Sequence, residues 1–502
     1  METPVTSPGW DSKDHHQAYG RDNSTEASLK PHFGIWSSLS VGLNTLNLFG
    51  GISFIITTAF SAGGIPAVFY GYLGASVGAI CITVIFIECA SLYPTAGGSY
   101  HFASFLTPFP HRRWVSYTVG WFNYIGWVLT FAACCAISSS LIFGIVNLLD
   151  GSFDVFIRWR LFLGYIACAT AAWAINTFAI QWTPFCALIG GWAGTFGFVT
   201  YTIALLAVSP KQSVEFVFQD IVNETGYPSN SMAVLIGLFS ATTVWQCLDA
   251  PTHIAEEIAE PTKVVPRVLI LNVSIQWFIG AIWILTIGFC MVNPDLVIHT
   301  RTGVPILELV RQATGSQAAA VAFGFIQLTV YFASTVACAT TTSRQGLAFA
   351  RDGGFPYYGD RYLFSPQGFN AILGAECAFL LLSFGKSPLA HHLIHEMGNT
   401  QGRWALGSKS YAIAMVASVY SVFVAVIVMI PQQHPLTASN MNYTVLICAI
   451  FSVIILAGWF LKGRRQFVPP SLELIAGVEV SGAAPDIGLT RSQREEIGGK
   501  KE

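Results

Sequence analysis

The sequence predicts an all-α polytopic membrane protein. Hydrophobic residues make up 53% of its 502 residues and charged residues only 10%, whereas about 25% of a soluble domain is charged. Apolar runs of 18 or more residues recur along the chain, and about 20 such residues cross a bilayer as a helix. The alternation typical of membrane β-barrels is absent from the sequence. A net charge of −2 excludes the basic surface that nucleic-acid binding needs.

Both ends of the chain are polar. The first 33 residues carry charges of both signs and lack the pattern of a signal peptide. We therefore expect a disordered cytoplasmic tail at 1–33, a membrane domain at 34–468 and a second cytoplasmic tail at 469–502. Eleven scattered cysteines show no spacing of a disulfide framework or zinc site, so they are expected to be packing residues.

Span 1 runs from about Ile35 to Phe60, and polar or small residues interrupt it at Asn44, at Asn47 and from Gly50 to Ser53. The paired glycines have two interpretations. They allow close packing of helices, or they form an unwound hinge whose freed amides meet an anionic group.

The next four spans follow in order, at about 66–88, 114–148, 159–178 and 183–208. Pro94, Gly97 and Gly98 break any helix after span 2. Arg112 and Arg113 place that loop in the cytoplasm by the positive-inside rule. Trp121, Phe122, Tyr124 and Trp127 occupy the first half of span 3, where aromatic residues usually pack or anchor the helix at the interface.

Span 6 organises the chain. Its apolar run begins near Ala233 and stops at the residues Trp245 to Asp249, before a charged loop. A carboxylate at the end of an apolar run is costly in lipid. Either Asp249 caps a helix in the headgroup region, or the helix breaks near Gln246 to Asp249 and exposes backbone and carboxylate to a substrate path, as in secondary transporters.

The rest of the chain adds spans 7 and 8, at about 268–292 and 318–339, a short surface helix near 304–311, and two late spans at about 411–430 and 443–461. Asn223 begins a glycosylation sequon that matters only outside the cell. The predicted inside segments hold Lys13, Arg21, Lys30, Arg112, Arg113, Lys263, Arg267, Arg344, Arg351 and Arg361, and the outside segments Arg158, Arg160, Lys211, Arg301 and Arg311. The bias predicts a cytoplasmic N-terminus.

Three motifs carry a family resemblance: ECASLYPTAGGSYHFAS from Glu88, CLDAPTHIAEEIAEPTKVVPRVL from Cys247, and TTSRQGLAFARDGGFP from Thr341. They resemble fungal permeases of the amino acid/choline/GABA branch of the amino acid–polyamine–organocation (APC) superfamily, over about 34–363 and 403–470. The resemblance implies a LeuT-like fold of two inverted five-helix repeats, with spans 1 and 6 broken at the centre. It also implies uptake of small amines or amino acids, usually coupled to protons. Since the sequence shows no nucleophile–base set and no multi-cluster metal pattern, we expect no enzyme activity and no cofactor.

Carried over by position, the break in span 1 falls at Gly50 to Ser53 and the break in span 6 at Trp245 to Asp249. The expected substrate-binding residues are Gly50, Gly51, Ser53, Tyr124, Trp245, Gln246 and Asp249, and those of the cytoplasmic gate Glu88, His253, Glu256 and Glu257. Trp245, Trp121 and Tyr124 are candidate cation–π faces for a quaternary amine. His391, His392 and His395 form one histidine cluster, and we interpret it as a solvated loop without a metal.

The chain departs from the family pattern late. Only Asn370 to Phe384 is apolar where the family has two spans. This stretch of about 15 residues would measure roughly 22 Å as a helix, too short for a core of about 30 Å, and Glu376 lies within it. We expect a shortened second repeat, ten full spans and both termini inside. A mis-joined or alternatively spliced gene model is the alternative.

The function predicted on this basis is secondary active transport of an amino acid, GABA or a choline-like amine, in the plasma membrane of a fungus or in its vacuolar membrane. Two alternatives stay open at this point. One is export of a basic secondary metabolite or alkaloid, because direction follows gradients. The other is a transport-inactive membrane sensor, which the shortened repeat would fit.

Overall fold

The structure is a computed structural model that describes residues 33–107, 111–355, 409–427, 429–430, 434 and 444–468. Helices dominate these residues. In chain order they are α1 (Ile35–Leu46), α2 (Leu48–Ser61), α3 (Gly64–Leu92), α4 (Ser99–Leu106), α5 (Arg112–Leu149), α6 (Arg158–Phe178), α7 (Thr183–Val208), α8 (Val214–Phe218), α9 (Asn230–Thr242), α10 (Ala250–His253), α11 (Pro261–Cys290), α12 (Pro294–Ile298), α13 (Pro305–Thr314), α14 (Gln317–Arg351), α15 (Lys409–Ile427) and α16 (Thr444–Gly458).

The all-α polytopic prediction is confirmed. Nine helical segments of the described chain are long and apolar enough to cross a membrane: Ile35–Ser61, Gly64–Leu92, Arg112–Leu149, Arg158–Phe178, Ile180–Val208, Asn230–His253, Pro261–Cys290, Gln317–Arg351 and Thr444–Gln466. A tenth apolar helix, Ala412–Ile427, is shorter. Spans 1 and 6 each consist of two helices, which are α1 with α2 and α9 with α10.

One face of the molecule gathers the segments that the positive-inside rule predicts to be cytoplasmic, and we name it the cytoplasmic face after that prediction. The backbone N–H of Phe33 donates to the Glu257 carbonyl (3.2 Å), and that of Val468 donates to the Asp352 carbonyl (3.1 Å). Arg113 also bonds the Phe467 carbonyl. The start of span 1, the end of span 6, the start of span 3 and the end of the last helix therefore meet on one side.

The opposite face joins the outer loops. The Glu224 N–H donates to the Ser61 carbonyl (2.9 Å), and the His434 N–H donates to the Thr225 carbonyl (2.8 Å). Asn223 lies in this region, where its Nδ2 donates to the Tyr227 carbonyl (3.0 Å). The same nitrogen also donates to Asn230 Oδ1 (3.2 Å). Glycosylation at Asn223 stays a prediction, and it would remove one of these two bonds.

The first late helix runs from the cytoplasmic face outward. The Ser410 hydroxyl, at the start of α15, donates to Glu88 at the inner end of span 2 (2.5 Å). His434, beyond the other end of α15, lies at the outer face. Phe355 and Lys409, which flank the gap in the described residues, thus both lie at the cytoplasmic face. The tail predictions for 1–32 and 469–502, the histidine cluster and the Asn370 to Phe384 prediction lie outside the described residues.

We predict that a single cysteine placed between His391 and Gly407, in a cysteine-free background, is labelled only from the cytoplasm, because the flanking described residues lie on that face. Gly151→Cys is the control. Gly151 is exposed on the outer loop after span 3, so an impermeant maleimide should label it on intact cells. Labelling of both positions from outside would mean that Asn370 to Phe384 crosses alone.

Candidate functional site

Span 1 is broken at Asn47. This residue has φ 31° and ψ 62° and separates α1 from α2. Asparagine is among the few residues other than glycine that adopt left-handed backbone angles readily. Its Oδ1 accepts the Gly50 N–H (3.1 Å) and so caps α2. Gln276 of span 7 bridges the break, because its Oε1 accepts the Leu48 N–H (3.0 Å) and its Nε2 donates to the Leu43 carbonyl (2.8 Å).

The predicted position of this break, Gly50 to Ser53, is wrong. These residues belong to α2, and the interruption lies before them. The two glycines serve close packing instead. A Cβ on Gly50 would stand 2.8 Å from the Tyr331 ring, and one on Gly51 would stand 3.3 Å from Val244 of span 6. Of the two interpretations of the paired glycines, the structure therefore supports close packing, here of Gly51 against span 6, and not unwinding.

Ser53 joins span 1 to spans 7 and 8. Its hydroxyl donates to the Phe49 carbonyl (2.7 Å) and accepts the Trp283 indole N–H (2.9 Å). The Gln327 amide nitrogen of span 8 is 3.4 Å away. Ser53 is buried, and these bonds already use its oxygen in the conformation observed.

The predicted break in span 6 is confirmed. Helix α9 ends at Thr242, and one 3₁₀ turn leads to Trp245. Gln246 is extended (φ −92°, ψ 177°), Cys247 has φ 60°, and α10 begins only at Ala250. Spans 1 and 6 therefore each contain one residue with left-handed angles at the interruption.

Buried polar atoms at the two breaks lack hydrogen-bond partners among the described residues. They are Asn47 Nδ2, Trp245 Nε1 and Gln246 Oε1. Trp245 stacks on Tyr72 of span 2, with ring centroids 5.2 Å apart. An unsatisfied buried polar group costs about 1–3 kcal/mol. The two breaks therefore hold donors and an acceptor suited to a small polar ligand, which is the chemistry of a midplane transporter site.

Tyr124 and Trp121 lie elsewhere. Tyr124 packs on Phe355 (5.1 Å between centroids) and beside Gly346, near the cytoplasmic end of span 8. Trp121 packs against Phe349 and Phe355. These two rings thus belong to an aromatic cluster around Phe349. Of the three predicted cation–π faces, only Trp245 lies at a break.

Asp249 occupies the cytoplasmic end of the span 6 break and is completely buried. Its Oδ2 accepts hydrogen bonds from Nδ2 of Asn123 (2.8 Å) and from the hydroxyl of Ser99 (3.2 Å). The same oxygen lies 3.0 Å from Nε2 of His253. The carboxylate does not cap α10. The structure therefore contradicts the capping alternative. Asp249 instead joins span 6 to span 3 and to the loop after span 2.

Ion pairs close the cytoplasmic side next to Asp249. Glu256 pairs with Arg351 (2.9 Å), and Glu257 pairs with Arg344. Asp352 accepts Tyr100 Oη (3.0 Å) and contacts His101 (2.9 Å). These contacts link the loop after span 2, the end of span 6 and the end of span 8.

Three of the four predicted gate residues, His253, Glu256 and Glu257, lie in this network. Glu88 instead bonds Ser410 of α15. Beyond the network, Lys263 donates to the exposed Glu260 (2.8 Å), and this bond lowers the pKa of the Glu260 carboxyl.

Sequence analysis missed several residues of this site. Gln276 bridges the span 1 break, Tyr331 faces Gly50, and Asn123 with Ser99 holds Asp249. The sequence marks Asn47 as an interruption of span 1, but not as the position of the break. Isolated amides inside apolar spans were the signal available for Asn123 and Gln276, since such residues are costly in lipid without partners.

A cavity of about 10 Å³ adjoins the span 1 break, roughly the room for one water. It is lined by Leu43, Asn47, Phe49, Gly190, Gly191, Gly194, Thr195, Gln276, Ile279 and Val330.

Comparison with known proteins identifies relatives along most of the chain. The family described as "Amino acid permease" matches residues 33–384. The chain is 28% identical to a choline transporter of Saccharomyces cerevisiae, over 88% of this chain and 83% of that protein. It is 24% identical to an uncharacterised amino-acid permease of Schizosaccharomyces pombe (89% and 88%) and 23% identical to a swainsonine transporter of Arthroderma benhamiae (89% and 94%).

We predict that stability falls from wild type to Asn47→Gly to Asn47→Val. Glycine keeps the left-handed angles and loses only the cap, at a few tenths of a kcal/mol. Valine adds backbone strain, for a total of about 2 kcal/mol. Thermal unfolding of the purified protein in detergent measures the order. Equal melting temperatures for the glycine and valine variants would contradict a left-handed residue at this position.

We also predict that Gly51→Leu lowers the melting temperature, because its side chain must fit between spans 1 and 6 where Val244 is already in contact. Overpacking of this kind costs about 1–3 kcal/mol. Gly74→Leu on span 2 is the matched control, since a Cβ there meets nothing within 4 Å. A Gly51→Leu protein as stable as the control would mean that the two spans are not in close contact.

Proposed function

Because this chain belongs to the amino acid permease family and is a multi-pass membrane transporter, we propose that it carries a small ammonium compound of choline or amino-acid size, held between the breaks of spans 1 and 6. One observation carries the proposal. Two interrupted spans face each other through Gly51 and Val244, and the buried atoms Asn47 Nδ2, Trp245 Nε1 and Gln246 Oε1 lack partners within the described residues.

The acceptor and the aromatic ring at the span 6 break suit the positive end of a substrate. Gln246 Oε1 is an acceptor for an ammonium N–H, and the Trp245 ring face that does not stack on Tyr72 suits a quaternary ammonium, which has no N–H. A cation over such a face gains about 0.5–2 kcal/mol. Asp249 is already engaged by Asn123, Ser99 and His253, so we do not assign it as the ammonium partner.

A substrate carboxylate would meet the N-terminus of α2, where the helix dipole is positive. The amides of Leu48 and Gly50 there already have neutral acceptors, Gln276 Oε1 and Asn47 Oδ1. Two donors nearby, Asn47 Nδ2 and Trp245 Nε1, lack acceptors among the described residues and suit such a carboxylate. The polar atoms therefore fit an amino acid as well as a choline-like amine, and the choline transporter among the relatives supports the latter.

In the proposed mechanism the substrate is released to the cytoplasm by rocking of one helix bundle against the other. The ion pairs Glu256–Arg351 and Glu257–Arg344 join the end of span 6 to the end of span 8. Both pairs must part before the breaks reach the cytoplasm. The structure therefore corresponds to a state that is closed on that side, and we propose that a proton gradient across the plasma membrane drives the cycle.

Export is the second candidate, and the similarity to a swainsonine transporter favours it. The same site and the same closure serve either direction, because direction follows the gradients. The direction of the imposed proton gradient distinguishes the two candidates. A proton-coupled importer accumulates substrate in vesicles whose exterior is the more acidic side, and a proton-coupled exporter accumulates it in vesicles whose interior is the more acidic side.

We predict saturable uptake of at least one compound from a panel of radiolabelled choline, GABA and amino acids in vesicles that contain the purified protein. If choline is taken up, Trp245→Leu should raise its KM about 2- to 30-fold, as the loss of a cation–π contact implies. Trp159→Leu is the control, since Trp159 is 61% exposed at the start of span 4. The absence of any saturable uptake or exchange would overturn the proposed function.

A further inference from the structure

The ring of His253 is fixed between two oxygen atoms. Its Nδ1 lies 2.8 Å from the carbonyl oxygen of Ala96, and its Nε2 lies 3.0 Å from Oδ2 of Asp249. Both side chains of the His253–Asp249 pair are fully buried. Trp127 of span 3 covers the ring edge-on, with centroids 5.8 Å apart.

These two contacts determine how many protons the pair holds. A carbonyl oxygen only accepts hydrogen bonds, so Nδ1 must carry a hydrogen to approach Ala96 at 2.8 Å. In a neutral imidazole the other nitrogen, Nε2, then has a lone pair. That lone pair would face a carboxylate oxygen, and the contact would be repulsive. The 3.0 Å contact therefore requires one more proton between Nε2 and Oδ2, on the ring or on the carboxyl.

We propose that the His253–Asp249 pair is the binding site of the proton that drives transport. The inference rests on the transport function proposed above and names the site of its coupling ion. Asp249 and neutral His253 take up one proton from the extracellular side and keep it in the closed state. The pair gives that proton to the cytoplasm when span 6 separates from the loop after span 2.

The pair lies where such a proton can act. Its partners Ser99 and Ala96 belong to the loop after span 2, and Asn123 belongs to span 3. With the proton bound, Asp249 and His253 hold these elements to the span 6 break. Without it, the carboxylate and the Nε2 lone pair repel each other. Proton loss therefore weakens the contact that must open for release to the cytoplasm.

A second buried histidine shows that this geometry is specific to His253. Nδ1 of His101 lies 2.8 Å from the Thr95 hydroxyl, and its Nε2 lies 2.9 Å from Oδ2 of Asp352. A hydroxyl both donates and accepts, so a neutral ring that donates from Nε2 to Asp352 satisfies both contacts. The His101–Asp352 pair needs no extra proton, and it therefore serves as a matched control.

The charged groups that surround the pair are balanced. Along its own segment, Glu256 and Glu257 each pair with an arginine of span 8, Arg351 and Arg344. The half-span Ile35–Leu46, which packs on α10, has no ionisable side chain. Span 3 presents the neutral Asn123 and Trp127, and the loop after span 2 presents Ser99. Among the described residues that contact the pair, only Asp249 and His253 themselves are ionisable.

The first test compares accumulation with exchange in proteoliposomes, with radiolabelled choline or whichever panel compound the wild type exchanges. An inward proton gradient should drive the wild type to accumulate the compound above its equilibrium level. Asp249→Asn places an amide N–H against Nε2 of a neutral His253 and so removes the need for the proton. The ratio of proton-driven accumulation to exchange should fall at least tenfold in this variant and stay at the wild-type value in Asp352→Asn.

Full proton-driven accumulation in Asp249→Asn, with wild-type exchange, would overturn the inference while the proposed function stands. If the wild type shows no exchange of any compound, the proposed function is contradicted. The proton site is then tested by a second measurement, which needs no substrate.

That second measurement is thermal unfolding between pH 6.5 and 8.5. Above an ordinary histidine value of about 6.5, the unfolded chain has a neutral ring and a carboxylate, whereas the proposal places one additional proton on the folded pair. Stability must then decrease as pH rises, by up to about tenfold in the folding equilibrium per pH unit for one proton. Asp249→Asn should lack this component of the slope and Asp352→Asn should retain it. Equal slopes in all three proteins would refute the proton site.

Discussion

Gln276 satisfies the backbone on both sides of the interruption in span 1. Within lipid, N–H and C=O groups freed by a broken helix have no water to bind, so the protein itself must bind them. One side chain from span 7 accepts the Leu48 N–H and donates to the Leu43 carbonyl. Span 7 therefore stabilises the break, together with the Asn47 cap on the Gly50 N–H and the Ser334 hydroxyl of span 8, which donates to the Asn44 carbonyl (2.6 Å).

The two halves of the membrane domain are held by different chemistry. Toward the outer face, Phe49, Trp283 and Phe323 pack ring against ring, and the Ser53–Trp283 bond lies among them. Toward the cytoplasm, ion pairs and the Asp249 contacts join the end of span 6 to span 3 and to the end of span 8. Packed aromatic rings carry no ionisable group, so binding of a proton does not change their contacts. The ion pairs and carboxylates of the cytoplasmic half do change with protonation, and we therefore propose that opening and closing occur in that half.

Much of this architecture could be predicted from the sequence. Long apolar runs indicate the spans because the bilayer demands them, and the carboxylate of Asp249 at the end of an apolar run indicated the span 6 break. The span 1 break was misplaced because Gly50 and Gly51 offer the more obvious flexibility. The break at Asn47 is also bridged by Gln276, which is 228 positions from its partner Leu48 in the chain, so local sequence does not reveal this contact. Likewise, Tyr124 and Asn123 are neighbours in sequence, and only packing decides that Asn123 faces Asp249 while Tyr124 faces Phe355.

The contacts of the C-terminal end have a consequence for biosynthesis. Arg113 bonds the Phe467 carbonyl, and the Val468 N–H bonds Asp352. Both contacts tie the last helix to segments that leave the ribosome long before it. The cytoplasmic side cannot finish closing until the final helix has been synthesised and inserted. A chain that ends before Phe467 would contain both broken spans and the aromatic outer half, and yet it would reach the bilayer with its inner closure incomplete.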